Sequence, residues 1–224
     1  MRLYLLPTPL TRLRPYWEYP LLGEVVREVR YFFVERLSRI RPWLEGVGLR
    51  SDAILFEWDA RQGDWSWEAY EKVFRERETA ALLSEAGLPG VADPGGSVVR
   101  RAHAEGYEVI PLAGPSSITL ALAASGLSGQ QFTFWGYPPR ERRDRRRFLQ
   151  SIFRRAAEST QIVMESPARN TALLQEILEE APPSLLLCIA HHLTSPSGFV
   201  KTYPISQLRP FILPKAPTLF LLGK

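Results

Sequence analysis

The chain has 224 residues, 45% hydrophobic and 23% charged, with 15 glycines, 19 prolines, one cysteine and a formal net charge of +4. That apolar fraction excludes a disordered chain, and the lone Cys188 excludes an internal disulfide framework, as suits a reducing cytoplasm. The length admits one large domain or two small ones, with ample apolar material for a core.

In chain order, short apolar runs predict strands at Arg2–Leu6, Tyr31–Glu35, Ala53–Trp58, Ala80–Ser84 and Glu108–Leu112. Amphipathic helices are expected between them, among them Trp67–Glu76 and Ser97–Glu105, the latter closed by Gly106. This alternation predicts an α/β lobe with a mostly parallel sheet over residues 1–112. Helix Ser117–Ala124 then opens a strand-richer second lobe over residues 113–224 with a mixed sheet. Its strands are expected at Gln131–Trp135, Gln161–Glu165, Leu185–Ala190, Phe199–Tyr203 and Thr218–Leu222. A helix Asn170–Glu180 stops at Pro182-Pro183.

No residue from Val109 to Pro139 is charged, which is long enough to suggest a membrane span. Pro111, Gly114-Pro115, Gly126, Gly129 and Pro138-Pro139 break it too often for a spanning helix. The opening MRLYLLPTPL has neither a long apolar stretch nor a small-residue cleavage site, so a cytoplasmic protein without membrane contact is expected. Directly after the uncharged stretch, residues 140–155 carry Arg140, Arg142, Arg143, Arg145, Arg146, Arg147, Arg154 and Arg155. Phe148, Leu149, Ile152 and Phe153 stand at helical spacing among them, so the run is expected to form an amphipathic helix. Its basic side is either a solvated face or a phosphate-contacting ridge. Lysine is scarce, since only Lys72, Lys201, Lys215 and Lys224 stand among the 28 basic residues. Arginine grips phosphate bidentately, so RNA is a conceivable partner beside the plainer reading of compositional bias.

Two glycine-proline clusters follow strands, where open parallel sheets place ligands. The first, Ser84-Glu85-Ala86-Gly87-Leu88-Pro89-Gly90-Val91-Ala92-Asp93-Pro94-Gly95-Gly96, is a rigid loop whose backbone can approach a ligand. Glu85 and Asp93 in it can accept hydrogen bonds from hydroxyls or an amine. The second, Pro111-Leu112-Ala113-Gly114-Pro115-Ser116-Ser117, turns sharply into a helix start fit for a carboxylate or phosphate. Each cluster alone also fits an ordinary connection or serine cap. No G-x-G-x-x-G and no P-loop lysine is present, which disfavours the usual nucleotide grips. His103, His191, His192 and Cys188 form no convincing metal-ligand set.

Leu3-Tyr-Leu-Leu-Pro-Thr-Pro9, the E-A-G-L-P-G-V-A-D-P-G loop and the V-I-P-L-A-G-P-S-S turn resemble the tetrapyrrole methylase superfamily. The likeness continues through Phe134-Trp-Gly-Tyr-Pro-Pro139, Met164-Glu-Ser-Pro-Ala-Arg169, Cys188-Ile-Ala-His-His-Leu-Thr194 and Thr218–Gly223, nearly the whole chain in order. It implies a two-lobed S-adenosylmethionine (SAM) methyltransferase with the cofactor in the cleft between lobes. Within that superfamily the chain most resembles bacterial enzymes that methylate a cytidine ribose 2′-hydroxyl of small-subunit ribosomal RNA, as a divergent branch and, like them, a homodimer. By that resemblance the methionine end of SAM lies along Ser84, Glu85, Ala86, Gly87, Pro89 and Asp93. Its carboxylate lies at Gly114, Pro115, Ser116 and Ser117, and its adenine near Met164, Glu165, Ser166, Ala190 and His191.

The chain also departs from the family pattern. Leu10-Thr-Arg-Leu-Arg-Pro15 replaces a G-N-L-x-D segment, Arg36 follows Glu35 where an Asp is usual, and the D-A-G-T-P loop reads Glu85-Ala-Gly-Leu-Pro89. Ala190-His-His-Leu-Thr-Ser195 stands for A-R-E-L-T-K, Ala168 for a histidine, and Phe56–Trp67 is rewritten. Substrate-facing positions therefore differ more than cofactor-facing ones. Glu35 and Glu165 are the candidate catalytic residues, against a surface ion pair for the first and backbone capping for the second. Arg36, Arg169 and His192 are candidate substrate contacts. His191 or His192 is either a titrating base or a satisfied strand-end histidine. Trp58, Trp65 and Trp67 either stack on bases or pack in the core or a dimer. The expected function is SAM-dependent ribose methylation of RNA; a small-molecule acceptor and a degenerate SAM-binding protein are the alternatives.

Overall fold

The computed structural model describes residues 1–11 and 20–224, in two compact units, Met1–Ser116 and Ser117–Lys224. The division falls four residues beyond the expected 112/113 boundary. Of the rewritten segment Leu10–Pro15, residues 12–15 lie outside the described residues.

The first unit holds a five-stranded parallel sheet: β1 (Arg2–Leu5), β2 (Tyr31–Val34), β3 (Ile54–Glu57), β4 (Ala80–Leu83) and β5 (Glu108–Pro111), in the order β3-β2-β4-β1-β5. β2 and β4 are buried at every residue, the mark of strands covered on both faces. Alternate side chains serve opposite layers. Leu3, Tyr31, Phe33, Ala80 and Leu82 pack with Ala69, Val73, Val98 and Ala102, while Phe32, Val34, Ala81 and Leu83 pack with Leu22, Val25, Val26, Ile40 and Leu44. The covering helices are α1 (Pro20–Glu28) and α2 (Leu37–Val47) on the second layer, and α3 (Trp67–Tyr70) and α4 (Gly96–Ala104) on the first. α3 widens into a π-turn over Glu71–Arg75 instead of running as α-helix to Glu76.

Each of the five strands ends one residue earlier than expected, yet Leu6, Glu35, Trp58 and Leu112 still donate a backbone bond to the neighbouring strand, at 2.9–3.2 Å. The ladder thus runs to the position where each functional loop begins.

The second unit carries β6 (Phe132–Phe134), β7 (Thr160–Glu165), β8 (Leu186–His191), β9 (Phe199–Pro204) and β10 (Thr218–Gly223) in the order β6-β7-β10-β8-β9. Only β6 and β7 pair in parallel; the other pairs are antiparallel. α6 (Arg142–Arg155) and α7 (Asn170–Glu180) cover one face through Leu149, Ile152, Leu173 and Ile177 against Val163, Leu187, Ile189 and Phe220. α5 (Ser117–Ser125) covers the other through Ile118, Ala121 and Leu122 against Ile162, Cys188, Ala190 and Leu219. The uncharged stretch therefore supplies β5, a turn, α5 and β6. Among the described residues no helix is long and apolar enough to cross a membrane.

Candidate functional site

Parallel order brings the C-terminal ends of β1, β2, β4 and β5 to one edge of the first sheet. Glu35 leaves β2 and Ser84-Glu85 leave the adjacent β4. Glu35 Oε2 accepts the Glu85 N–H at 2.7 Å. Burial pushes the Glu35 carboxyl above its ordinary range; the Glu85 N–H opposes that, and the carboxylates of Asp93 and Glu85 reinforce it. Glu85 faces outward to the guanidiniums of Arg36 (3.6 Å) and Arg39 (3.2 Å). Both arginines are about half exposed, so these pairs are weak and replaceable.

The loop after β4 is fixed from three sides. Thr8 and Gly87 exchange backbone bonds at 3.0 Å, with Gly87 at φ +87°. The buried hydroxyls of Thr8 and Ser84 donate to the Ser84 and Gly87 carbonyls, at 3.2 Å each. Asp93 curls back so that its carboxylate accepts the N–H groups of Gly90 (2.8–2.9 Å) and Gly95 (2.7 Å). Burial raises the Asp93 carboxyl despite these bonds. Asp93 thus organises the loop from within. Ala86 and Gly90 are exposed, while Gly87 and Pro89 are buried.

Beyond β5, the turn at Gly114 packs directly on Pro7, two residues past the end of neighbouring β1. A Cβ at Gly114 would overlap the Cβ and Cγ of Pro7, and one at Gly87 would sit 3.3 Å from the Pro115 carbonyl oxygen. The two glycine clusters recognised in the sequence therefore pack as one unit of backbone. Pro115, buried Ser116 and half-buried Ser117 lead from it into α5.

In the second unit β10 runs between β7 and β8, so Thr218 at its start pairs with Glu165 on one side and His191 on the other. Glu165 is 2% exposed, and its Oε1 accepts bonds from the Ser166 N–H (2.6 Å) and from Arg169 Nε (3.1 Å) and Nη2 (2.7 Å). The Thr218 hydroxyl donates to the Ala216 carbonyl and accepts from Asn170 Nδ2. The same hydroxyl meets His191 Nδ1 at 2.9 Å, with donor and acceptor set by the imidazole tautomer. Met164 is half-buried beside Glu165, and the Ala190 side chain lies in the core. His192 has φ +47°, and its Nδ1 lies 3.1 Å from Ser197 Oγ within the tight turn that Gly198 closes.

Burial, and next His192, hold the His191 imidazole below its ordinary 6.5. The folded chain disfavours the charged ring, so this contribution is complete above the unfolded value near 6.5. It drains away as pH falls through that value toward the folded one. Thermal midpoints measured from about pH 8 down to about pH 5 should fall below roughly pH 6.5, and His191→Asn should flatten that fall. An unchanged pH profile in the variant would contradict the assignment.

Trp65 is buried, with its indole N–H on the Phe56 carbonyl at 3.1 Å, Trp58 packs beside it, and Trp67 is 67% exposed. Sequence reasoning overlooked Thr8, Arg39, Asn170 and Thr218. Each acts across strands distant in sequence, and only Thr8, within the Pro-Thr-Pro opening, carried a visible signal.

A family model described as Tetrapyrrole (Corrin/Porphyrin) Methylases matches residues 33–209. The chain belongs to this family. The tetrapyrrole methylases are SAM-dependent methyltransferases, and the chain is one of them. It is 31% identical over 156 residues to ribosomal RNA small subunit methyltransferase I of Thermotoga maritima, covering 70% of this chain and 68% of that protein. It is 30% identical over 207 residues to the protein of the same name from Escherichia coli O157:H7, covering 92% of this chain and 70% of that one. Among solved structures, the methyltransferase CobJ superposes with a TM-score of 0.65 at 18% identity, over 100% of this chain and 93% of that chain. Uroporphyrin-III C-methyltransferase from Thermus thermophilus, complexed with S-adenosylhomocysteine, superposes with a TM-score of 0.56 at 17% identity, over 100% and 98%. These two likenesses establish the tetrapyrrole methylase fold.

Proposed function

We propose that this tetrapyrrole methylase transfers a methyl group from SAM to a ribose 2′-hydroxyl of small-subunit ribosomal RNA. The observation that carries the donor assignment is the strand-end edge of the first unit. There Glu35 at the end of β2 meets Glu85 on the loop after β4, which Thr8, Ser84 and Gly87 lock and Asp93 organises from within, and the carboxyls of Glu35 and Asp93 are held above their ordinary range. Such an edge suits a cation, and a ligand carrying a sulfonium and an ammonium fits it. The RNA acceptor follows the relatives from Thermotoga maritima and Escherichia coli, both ribosomal RNA small subunit methyltransferases, and the ribose 2′-hydroxyl follows the motif resemblance of the sequence.

When bound, SAM supplies an electrophilic methyl group whose bond to sulfur breaks as the bond to the ribose oxygen forms. The chain's own residues orient the partners and handle one proton. Ser84–Pro89 would line the methionine end, where the Glu85 carboxylate could exchange an arginine for the ammonium. The N–H groups at Ser116 and Ser117, where nine-residue α5 starts, would receive the carboxylate. Met164–Ser166 and Ala190–His191 would hold the adenine by backbone. Glu35, whose carboxyl is held above its ordinary range by burial, takes the hydroxyl proton. Arg36 exchanges its weak pair with Glu85 for an RNA phosphate, and His192 contacts RNA from its turn. Arg169, already paired with Glu165, contributes by fixing the end of β7. The working form is a cytoplasmic homodimer.

The test is a map of ribose methylations in total RNA from a strain lacking this chain. Loss of one 2′-O-methylcytidine from small-subunit ribosomal RNA, restored by the wild-type chain and not by Glu35→Gln, is expected. A map identical to wild type would overturn the acceptor assignment.

A further inference from the structure

Residues 140–155 hold eight arginines against Glu141 and Asp144, a net +6 in a chain whose total is +4, so all other residues together sum to −2. The positive charge is one local feature. α6 buries Leu149, Ile152 and Phe153 completely or nearly so, and Phe148 packs against the same core. At 3.6 residues per turn, Arg142, Arg143, Arg146, Arg147, Gln150 and Arg154 fall within about 140° of the helix circumference. All six are exposed. The first five, with Glu180 of α7, line one open concavity of about 590 Å³.

Stability alone does not explain this face. Arg142 and Arg143 occupy the first turn, where the helix dipole favours acids. Arg142–Arg146 and Arg143–Arg147 are like charges four residues apart, each pair unfavourable. Neighbouring acids neutralise only part of it: Arg145 pairs with Glu176 and Arg146 with Glu180 at 3.0 Å, while Asp144 adds one carboxylate in the first turn. An ordinary solvated helix gains nothing from the remainder.

We propose that this face of α6 is the surface along which the phosphate backbone of the substrate RNA lies, an inference that rests on the RNA reading of function above. Guanidiniums repeated on successive turns suit a phosphate chain, which each can grip bidentately. An anionic membrane is the poorer occupant, because every apolar residue from Phe148 to Phe153 is committed to the core and none is left to insert. Each phosphate contact releases counterions, so the face contributes affinity and salt dependence more than base specificity.

The experiment compares the wild-type chain with Arg142→Gln/Arg143→Gln/Arg147→Gln and with the same three positions changed to Glu. Binding to small-subunit ribosomal RNA is followed across a salt series, S-adenosylhomocysteine binding by calorimetry, and thermal midpoints alongside. In the Gln variant the slope of log K against log salt should flatten by about 2, with RNA affinity roughly tenfold weaker or more at moderate salt. S-adenosylhomocysteine affinity should be unchanged. The Glu variant should lose RNA binding further while its thermal midpoint holds or rises, which a structural role for the arginines forbids. Wild-type RNA binding with an unaltered salt slope in both variants would overturn the ridge alone. If the wild-type chain binds S-adenosylhomocysteine but no RNA, the RNA reading and the ridge fall together. Stronger arginine-dependent binding to phosphatidylserine vesicles than to RNA would transfer the surface to a membrane and overturn the proposal.

Discussion

Gly114→Ala is expected to abolish S-adenosylhomocysteine binding and to lower stability by about 3 kcal/mol. The added Cβ falls on the ring of Pro7, and neither side can yield cheaply. Pro7 adjoins Thr8, whose two backbone bonds to Gly87 hold the loop after β4, so moving Pro7 pulls that loop away from Ser84 and Glu85. The turn at Gly114 leads into α5, so moving it displaces the helix start assigned to the donor carboxylate. Pro7→Gly introduced with Gly114→Ala removes the overlapping ring atoms and should recover part of the loss, a coupling that a double-mutant cycle reads directly. Gly46→Ala, in α2 with nothing within 4 Å of the new Cβ, should instead add about 0.5–1 kcal/mol. Wild-type ligand affinity in Gly114→Ala would refute the linkage of the two glycine clusters.

Glu165→Ala should cost about 2–3 kcal/mol in chemical denaturation. The full penalty for breaking a buried pair is roughly 3–5 kcal/mol, discounted because the Arg169 side chain is 34% exposed and can turn to water. The loss falls on three donors at once, the Ser166 N–H and two nitrogens of Arg169, all on one carboxylate oxygen. Glu165→Gln keeps an acceptor and should lose less than half as much. If Glu165 only shapes the end of β7, ligand affinity will follow stability across the two variants. If it also orients ligand, Glu165→Gln will lose affinity out of proportion to its stability. Equal stability of Glu165→Ala and wild type would show that the buried pair contributes nothing.

These variants also mark how far the sequence could be read. Continuous apolar runs such as Tyr31–Val34 and Ala80–Leu83 announce strands covered on both faces, and Gly-Pro clusters announce the loops at their ends. What stayed hidden is the contact between Gly114 and Pro7, which exists because β5 pairs with β1 across a separation of about a hundred residues. The row Glu165–Thr218–His191 was equally hidden, because β10, last in the chain, inserts between β7 and β8. Glu165 and His191 were visible as residue types, whereas the threonine that joins them requires the topology. The pairing of Arg36 and Arg39 with Glu85 needs α2 to start beside β4, which no local pattern encodes. The arginine run was legible in place, and the burial of its apolar side against α7 and β7 turned a composition into a face.

Methyl transfer from SAM to a ribose oxygen of small-subunit ribosomal RNA can be followed in vitro. Its most direct test incubates the purified chain with methyl-labelled SAM and small ribosomal subunits from a strain lacking this chain, then digests the RNA to nucleosides. Label recovered as a 2′-O-methylated nucleoside, at one site and lost in Glu35→Gln, is the expected result. Label confined to a base, or absent from RNA while SAM binds and a small-molecule acceptor is methylated, would contradict it.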